Sequence, residues 1–279
     1  MIPLSTYLRD YQDKIDGHSH FFDFEKVIGD VYTYPSDYKR VVGFADIRFD
    51  KLDNYKNGKM VKLYDDYITN HYNPKTQILL ATAYDIEDAI TIYKKYPNII
   101  KGFGEFKCYR EYLGKPTKIK DLSFLEPLCD FDKEYKLPIY IHWNLLSDSD
   151  YEECARLVSK YPSIPFVICH FGMGYDRANI PDESTFDKSY EYCVKLYENF
   201  ANTYFDISYR AIHYFHKHPK LLNIFAERLI IGSDINPQVM NTMPDNYKQY
   251  INKIYREMGD LYKPRFTSCI KTLFHDQSI

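Results

Sequence analysis

The segment DGHSH, at residues 16–20, places two histidines two positions apart near the start of the chain. Alternate side chains of an extended strand point to the same face, so His18 and His20 would project together. Two imidazoles on one face can bind a single metal ion. Because such a pair is common by chance, its meaning depends on whether the rest of the chain supplies further ligands.

Four later residues with metal-binding side chains each follow an apolar run, where a buried strand would end. They are Glu105 in KGFGEFK, His142 in PIYIHWN, His170 in PFVICHFG and Asp234 in IIGSDIN. Taken singly, each has a structural explanation, such as a hydrogen-bonded core histidine or a turn-forming aspartate. A shared metal site explains all of them at once, together with their order, and is the interpretation that we favour.

Short apolar segments alternate with helix-like segments along the chain. Runs rich in Val, Ile, Phe and Tyr are typical of strands buried on both faces of a parallel sheet. We predict eight strands, at Lys14–Phe21, Arg40–Arg48, Gln77–Tyr84, Ile99–Lys107, Leu137–Asn144, Pro165–Phe171, Thr203–Ile207 and Leu229–Ile235. We predict helices at Asp85–Tyr96, Ser147–Tyr161, Ser184–Phe200 and Ala211–Arg228.

Eight strands alternating with helices predict a (β/α)8 barrel, and no linker-like tract divides the sequence. We therefore expect one domain over residues 1–279. A doubly wound open sheet is the alternative fold. Its dinucleotide-binding form is disfavoured because no GxGxxG motif follows an early strand.

Composition limits the class of protein further. The formal net charge of −3 gives no general attraction to nucleic acid or to an anionic membrane. The six cysteines form no CxxC pair, which indicates reduced thiols. The sequence has no signal-peptide pattern and no apolar run long enough to span a membrane. We expect a cytoplasmic protein that acts on a small molecule, with homo-oligomer formation left open.

The ordered set of HxH, Glu, His, His and Asp on strands one, four, five, six and eight resembles the amidohydrolase superfamily of metal-dependent hydrolases. It is similar in particular to the amidohydrolase-related branch that carries a glutamate on strand four. The resemblance extends from Asp16 to Asp234. It implies a (β/α)8 barrel with one or two divalent ions at its mouth.

The resemblance also implies a set of metal ligands, namely His18, His20, Glu105, His142, His170 and Asp234. The first-strand pair would hold the more buried ion with Asp234, the histidines of strands five and six would hold a second ion, and Glu105 would bridge the two. In a mononuclear site, His170 would instead polarise the substrate. The sequence leaves open the number of ions, and whether Glu105 or Lys107 is the strand-four ligand.

Imidazole and carboxylate suit Zn²⁺, the ion that we expect, and also Mn²⁺, Fe²⁺ or Ni²⁺. A bound dication lowers the pKa of its water towards neutrality. Asp234 could accept a proton from that water and return it to the leaving group, and His170 is the second catalytic candidate. The predicted function is therefore metal-dependent hydrolysis of an ester, lactone, amide or related bond in a small molecule.

Candidate substrate-binding residues follow the same strands. They are Lys107, Trp143, Asn144, Tyr209 and Arg210. The fork of Arg210 matches a carboxylate or phosphate. Asp206 could also face the pocket after strand seven, and Gly172 would allow close approach of a ligand.

Two other reactions remain open. Some members of the resembled branch are non-oxidative decarboxylases of aromatic or related acids and use the same ligands. Metal-dependent deoxyribonucleases of the superfamily also place a glutamate on strand four, usually in the sequence GEIGLD. This chain reads GEFKCY from Gly104, and so departs from the nuclease pattern after Glu105.

Overall fold

Eight parallel strands form one sheet in the computed structural model of the protein. The structure describes residues 14–23, 38–46, 58–108, 111–112, 115–116, 119–173, 183–208, 210–225, 227–232, 234 and 268–275. The sheet strands, β1 to β8, are Lys14–Asp23, Tyr38–Asp46, Gln77–Ala81, Ile100–Lys107, Ile139–His142, Phe166–Ile168, Thr203–Asp206 and Leu229–Ile230. Their order in the sheet is their order along the chain, and each pairs in parallel with the next.

Backbone hydrogen bonds bring the two edges of this sheet together. The N–H of Gly17 in β1 donates to the carbonyl of Ile231 at 3.0 Å, and the N–H of Asp234 donates to the carbonyl of His18 at 2.9 Å. The sheet is therefore a nearly closed barrel, and the predicted (β/α)8 fold is confirmed.

Helices lie between the strands. Helices α1 to α6 are Lys59–Asn70, Ile86–Lys95, Glu126–Asp132, Asp148–Lys160, Glu183–Asn199 and Arg210–Lys217. Short 3-10 helices span Leu122–Leu125, Cys169–Gly172 and Pro219–Phe225, an antiparallel hairpin joins Glu111–Tyr112 to Lys115–Pro116, and residues 268–274 are helical. No helix in the described part of the chain has the length and apolar character that spanning a membrane requires.

Local capping sets where two of the predicted helices begin. The side chain of Asp85 accepts the N–H of Glu87 at the start of α2, and Ser147 accepts the N–H of Asp150 at the start of α4. Such side chains satisfy N–H groups that have no partner within the helix. Both helices form within the ranges predicted from the sequence.

The predicted helix Ala211–Arg228 is wrong in extent. Helix α6 ends at Lys217, and the chain continues as the 3-10 helix Pro219–Phe225. Proline has no N–H to donate to the preceding turn, and its ring crowds the carbonyl there, so Pro219 separates the two segments.

The predicted sixth strand is too long. Strand β6 ends at Ile168, because His170 and Phe171 adopt left-handed φ angles of 51° and 58° in the 3-10 turn that follows. A left-handed residue cannot continue a strand, so the turn changes the direction of the chain at the position of a predicted ligand.

A buried tyrosine connects α1 to the end of β3. The hydroxyl of Tyr64 donates to the carbonyl of Leu80 at 2.6 Å and accepts the N–H of Thr82 at 2.9 Å. The hydroxyl of Thr82 in turn donates to the backbone carbonyl of Glu105 at 2.9 Å. Helix α1 thus helps to fix the backbone that carries Glu105.

All six cysteines are free and buried, as the sequence predicted. Burial raises the pKa of their thiols, Cys108 and Cys169 included. They contribute as small apolar side chains in the core.

Candidate metal centre

The two histidines of β1 point into the barrel towards one carboxylate. Both are buried, and Oδ1 of Asp234 lies 3.4 Å from Nε2 of His18 and 3.0 Å from Nε2 of His20. Ligand atoms bound to one tetrahedral Zn²⁺ through bonds near 2.0–2.1 Å lie about 3.3 Å apart. The three atoms therefore have the spacing of ligands to one ion.

Packing from two sides fixes these histidine rings. Phe44 of β2 packs edge to face against both rings, with centroid distances of 5.0 Å to His18 and 4.8 Å to His20. On the other side, a Cβ atom at Gly232 would come within 2.3 Å of Cβ of His18. Only glycine leaves the space that this histidine occupies, so a residue after β8 determines the position of a side chain on β1.

Glu105 lies between the remaining histidines. Its Oε1 is 2.7 Å from Nδ1 of His142 and 3.1 Å from Nε2 of His170, and its Oε2 is 3.9 Å from Nε2 of His20. Lys107, two residues further along β4, is only partly buried and pairs in register with His142. Glu105 is therefore in contact with His142, His170 and His20.

Unusual backbone geometry carries three of these residues to their positions. Gly104, before Glu105, has a φ of 109°, and a Cβ atom there would lie 2.3 Å from the carbonyl oxygen of Tyr140. His170 and Asp234 have left-handed φ angles of 51° and 50°. Strain of this kind persists where the surrounding structure enforces it, and it clusters at functional sites.

Both carboxylates of the cluster are ionised at neutral pH. Burial alone would raise the pKa of Glu105, but His142 and His170 lower it well below the ordinary range. Burial likewise opposes ionisation of Asp234, whereas His170, His18 and His20 lower its pKa. Ionised carboxylates are the form that binds a metal ion.

The histidine environments differ from one another. Burial and the neighbouring His170 lower the pKa of His142 to about 4, although Glu105 acts in the opposite direction. For His18 burial lowers the pKa, but the adjacent Asp206 raises it well above the ordinary value. His142 is thus a neutral imidazole at neutral pH, which is the form that ligates a metal.

Three residues that sequence reasoning did not select as site residues touch this cluster. Asp206 is fully buried against His18, the hydroxyl of Ser208 lies 2.8 Å from Nδ1 of His170, and Cys169 lies close to His18 and Asp206. Asp206 was expected only to face the pocket. The spacing of Asp206 and Ser208, two apart at the end of a strand, is the signal that could have identified the pair.

The residues predicted to bind substrate occupy several environments rather than one cluster. The indole N–H of Trp143 donates to the carbonyl of Asp150 at 2.9 Å, so this side chain is bonded to the first turn of α4. Asn144 is partly buried, and its Oδ1 has no hydrogen-bond partner among the described residues. Arg210 is the first residue of α6, and Tyr209 lies outside the described residues.

The glycine expected to admit a ligand has another role. A Cβ atom at Gly172 would lie 2.7 Å from Cδ1 of Leu145 and its φ is 66°. The N–H of Leu145 also donates to the carbonyl of Gly172 at 2.7 Å. Gly172 therefore allows the loops after β5 and β6 to pack together.

The chemistry of the cluster fits a divalent metal ion. Three groups of described residues have potential ligand atoms within 4.8 Å of one another: His18, His20 and Asp234; His18, Glu105 and His170; and His18, Cys169 and Asp206. The donors are mainly imidazole nitrogens and carboxylate oxygens, which suit zinc and neighbouring transition metals. They lie at the carboxyl ends of parallel strands, where the active sites of (β/α)8 enzymes are found.

The sequence matches no protein-family model and no curated protein sequence. Solved structures are similar. An amidohydrolase from Burkholderia multivorans with bound zinc has a TM-score of 0.59 at 10% identity, over 94% of this chain and 99% of that one. A 2,6-dihydroxybenzoate decarboxylase complexed with 2,6-dihydroxybenzoate has a TM-score of 0.54 at 13% identity, covering 95% and 100%. A TatD-family hydrolase from Entamoeba histolytica has 0.54 at 12%, covering 94% and 98%.

At such low identity the likeness to these structures shows the fold. The resemblance predicted from the sequence is confirmed at that level. The finer assignment, to the branch with a glutamate on strand four, stays a prediction.

Proposed function

We propose that the protein is a metal-dependent hydrolase of the amidohydrolase type that cleaves an ester, lactone, amide or related bond in a small molecule. The observation that carries the proposal is the convergence of nitrogen and oxygen donors from five strand ends on one buried position. The donors belong to His18, His20, Glu105, His142, His170 and Asp234. Metal coordination accounts for this concentration of buried polar groups, each of which is costly to bury without a strong partner.

The first ion would be held by His18, His20 and Asp234, whose ligand atoms share one position. A second would be held by His142 and His170, with Glu105 between the two groups. The position of Glu105 supports two ions over one. When bound, a dication supplies Lewis acidity and lowers the pKa of a coordinated water. Zinc is the proposed metal, since the similar amidohydrolase contains it.

Asp234 is the proposed general acid and base. Its side chain is 17% exposed, whereas those of His18 and Glu105 are 0% and 1% exposed. Among these groups Asp234 therefore has the access to exchange a proton with water and with a leaving group. His170, whose Nε2 lies 3.1 Å from Oε1 of Glu105, is the second proposed catalytic residue.

Substrate contacts are proposed for side chains around the mouth of the barrel. Lys107 is partly exposed beside the metal ligands, and Asn144 offers a buried carbonyl oxygen that lacks a partner among the described residues. Trp143, Arg210 and Tyr209 complete the proposed set. We propose a small-molecule substrate and a cytoplasmic location, with no membrane or nucleic-acid partner.

A decarboxylase is the second candidate function. All of the similar decarboxylase is matched, against 99% and 98% of the two hydrolases, and its bound molecule is an aromatic acid. The cationic side chain of Lys107 would suit a substrate carboxylate in either reaction. A phosphodiesterase of the TatD type is the third candidate, supported by the similar fold but not by the sequence after Glu105.

Two measurements test the proposal. Elemental analysis of the purified protein should find zinc or another transition metal in the wild type and much less in His20→Ala, while the exposed His71→Ala variant keeps it. A panel of esters, lactones, amides, phosphodiesters and aromatic acids, followed by acid release and by CO2 release, then identifies the reaction. CO2 release alone would favour the decarboxylase, and a wild type that binds no transition metal would exclude all three candidates.

A further inference from the structure

One carboxylate oxygen lies beneath both halves of the metal centre. Oδ2 of Asp206 is 2.9 Å from Nδ1 of His18, 3.2 Å from the backbone nitrogen of His170 and 2.5 Å from Oγ of Ser208. His18 belongs to the group around Asp234, and His170 contacts Glu105. Asp206 is therefore in contact with one histidine from each group.

Ser208 extends this contact to the ring of His170. Its hydroxyl lies 2.8 Å from Nδ1 of His170 and donates its single proton to Oδ2 of Asp206. Towards His170 the hydroxyl must then accept, so Nδ1 of that ring carries the proton. In the neutral imidazole the lone pair is left on Nε2, the atom that faces Glu105.

The ring of His18 contacts Asp206 directly, with no hydroxyl group between them. Its Nδ1 lies 2.9 Å from Oδ2 of Asp206, and its Nε2 faces Asp234. In both rings the nitrogen away from the cluster lies against Asp206 or Ser208, and the nitrogen towards the cluster faces a carboxylate of the proposed metal centre. A hydrogen bond from the outer nitrogen fixes the tautomer and the ring orientation of such ligands.

Burial argues against an incidental role for this pair. Asp206 and Ser208 are both fully buried, and Oδ1 of Asp206 has no hydrogen-bond partner among the described residues. A buried polar side chain is costly unless it has partners, and the partners of Asp206 are His18, Ser208 and the backbone of His170. The use visible in the structure is the orientation and polarisation of His18 and His170.

We propose that Asp206 and Ser208 are positioning residues that hold one histidine of each half of the metal centre, Asp206 directly at His18 and through Ser208 at His170. The inference rests on the proposed function, because it concerns the metal that this function requires. It adds a physical link between the two halves, so a change at Asp206 would affect both.

The test compares Asp206→Asn, Ser208→Ala and the control Asp132→Asn, which alters a buried carboxylate outside the metal centre. Affinity for Zn²⁺ is measured by competition with a chelator, the Co²⁺-loaded proteins are compared by their absorption spectra, and metal-free proteins are compared by thermal unfolding. We expect Asp206→Asn to weaken Zn²⁺ binding by about 10- to 100-fold and to shift the Co²⁺ spectrum. Ser208→Ala should weaken binding less, since it removes one of the two ring contacts, and Asp132→Asn should match the wild type in Zn²⁺ affinity and in its Co²⁺ spectrum.

Equal Zn²⁺ affinity and identical Co²⁺ spectra in Asp206→Asn and the wild type would overturn the inference. If metal-free Asp206→Asn does not fold, the Ser208→Ala variant tests the inference instead, because it leaves the carboxylate of Asp206 in place. Unchanged binding and an unchanged spectrum in that variant would then overturn the proposed link. A wild type that binds neither ion would instead refute the proposed function, so the two failures are distinguishable.

Discussion

The backbone N–H of Asp234 donates to the carbonyl oxygen of His18 at 2.9 Å. The last residue of the candidate metal centre is thus hydrogen-bonded through its backbone to the first, across the seam where the barrel closes. The side chains of the same two residues approach within 3.4 Å. The contacts that close the barrel therefore also bring these two side chains of the candidate site together.

Asp234→Asn should lower turnover by about 10²- to 10⁴-fold, because an amide cannot exchange the proton that the proposed mechanism requires. The measurement is steady-state turnover of a substrate identified by screening, with metal content determined for each preparation. Asp130→Asn is the control, since Asp130 is an exposed carboxylate paired with Lys133 on the surface. Turnover near the wild-type value in metal-loaded Asp234→Asn would contradict the acid and base role.

Gly232→Ala should reduce both stability and metal affinity. The added methyl group would lie 2.3 Å from Cβ of His18, so the histidine must move. We expect a loss of about 1–3 kcal/mol in the free energy of unfolding. The control is Gly58→Ala, where φ is 72° and no atom lies within 4 Å, so only backbone strain of about 1–2 kcal/mol is added. Equal zinc affinity in the two variants would show that Gly232 does not position His18.

Tyr64→Phe should destabilise the fold by about 1–3 kcal/mol. The change removes the donor to the carbonyl of Leu80 and the acceptor of the N–H of Thr82, both in a fully buried environment. Chemical denaturation measures the loss. Tyr135→Phe, at a tyrosine that is 41% exposed, should change the free energy of unfolding by less than about 0.5 kcal/mol. Similar values for the two variants would contradict the importance of the Tyr64 contacts.

Asp132 should make stability fall as pH rises. Burial raises the pKa of this carboxyl from 3.8 to about 8, against one opposing hydrogen bond from the N–H of Leu137. Between those pH values the folded protein keeps a proton that the unfolded chain releases, so the free energy of unfolding decreases with rising pH. Asp132→Asn should remove this decrease and unfold at higher denaturant concentration than the wild type at pH 8. The measurement is chemical denaturation of both proteins between pH 5 and 9. The same pH dependence of the free energy of unfolding in the two proteins would refute the prediction.

Much of the fold and of the candidate site could be predicted from the sequence because a polar residue lies at or just after the apolar runs of five strands. The apolar run before His142, for example, indicates a buried strand, and the barrel geometry then places its end beside the other strand ends. The sequence could not separate Glu105 from Lys107, since both lie on one face of β4. In the structure Glu105 lies between His142 and His170, which supports the proposal that it is the strand-four ligand.

Other features depend on contacts that the sequence does not reveal. The apolar run PFVICHFG reads as one strand, yet the backbone turns at His170 with a φ of 51°, which tertiary contacts enforce. The fit between Gly232 and His18 joins residues that are distant in sequence. The break at Pro219 was different, because the proline that ends α6 was visible in the sequence.

The seam between β1 and the segment after β8 has a consequence for biosynthesis. The hydrogen-bonded contact between His20 and Asp234 spans 214 positions, so the ribosome must deliver the chain as far as the segment after β8 before both partners exist. A nascent chain therefore carries its histidines without this carboxylate until that segment emerges. The last proposed ligand of the metal centre is thus also the last to be synthesised.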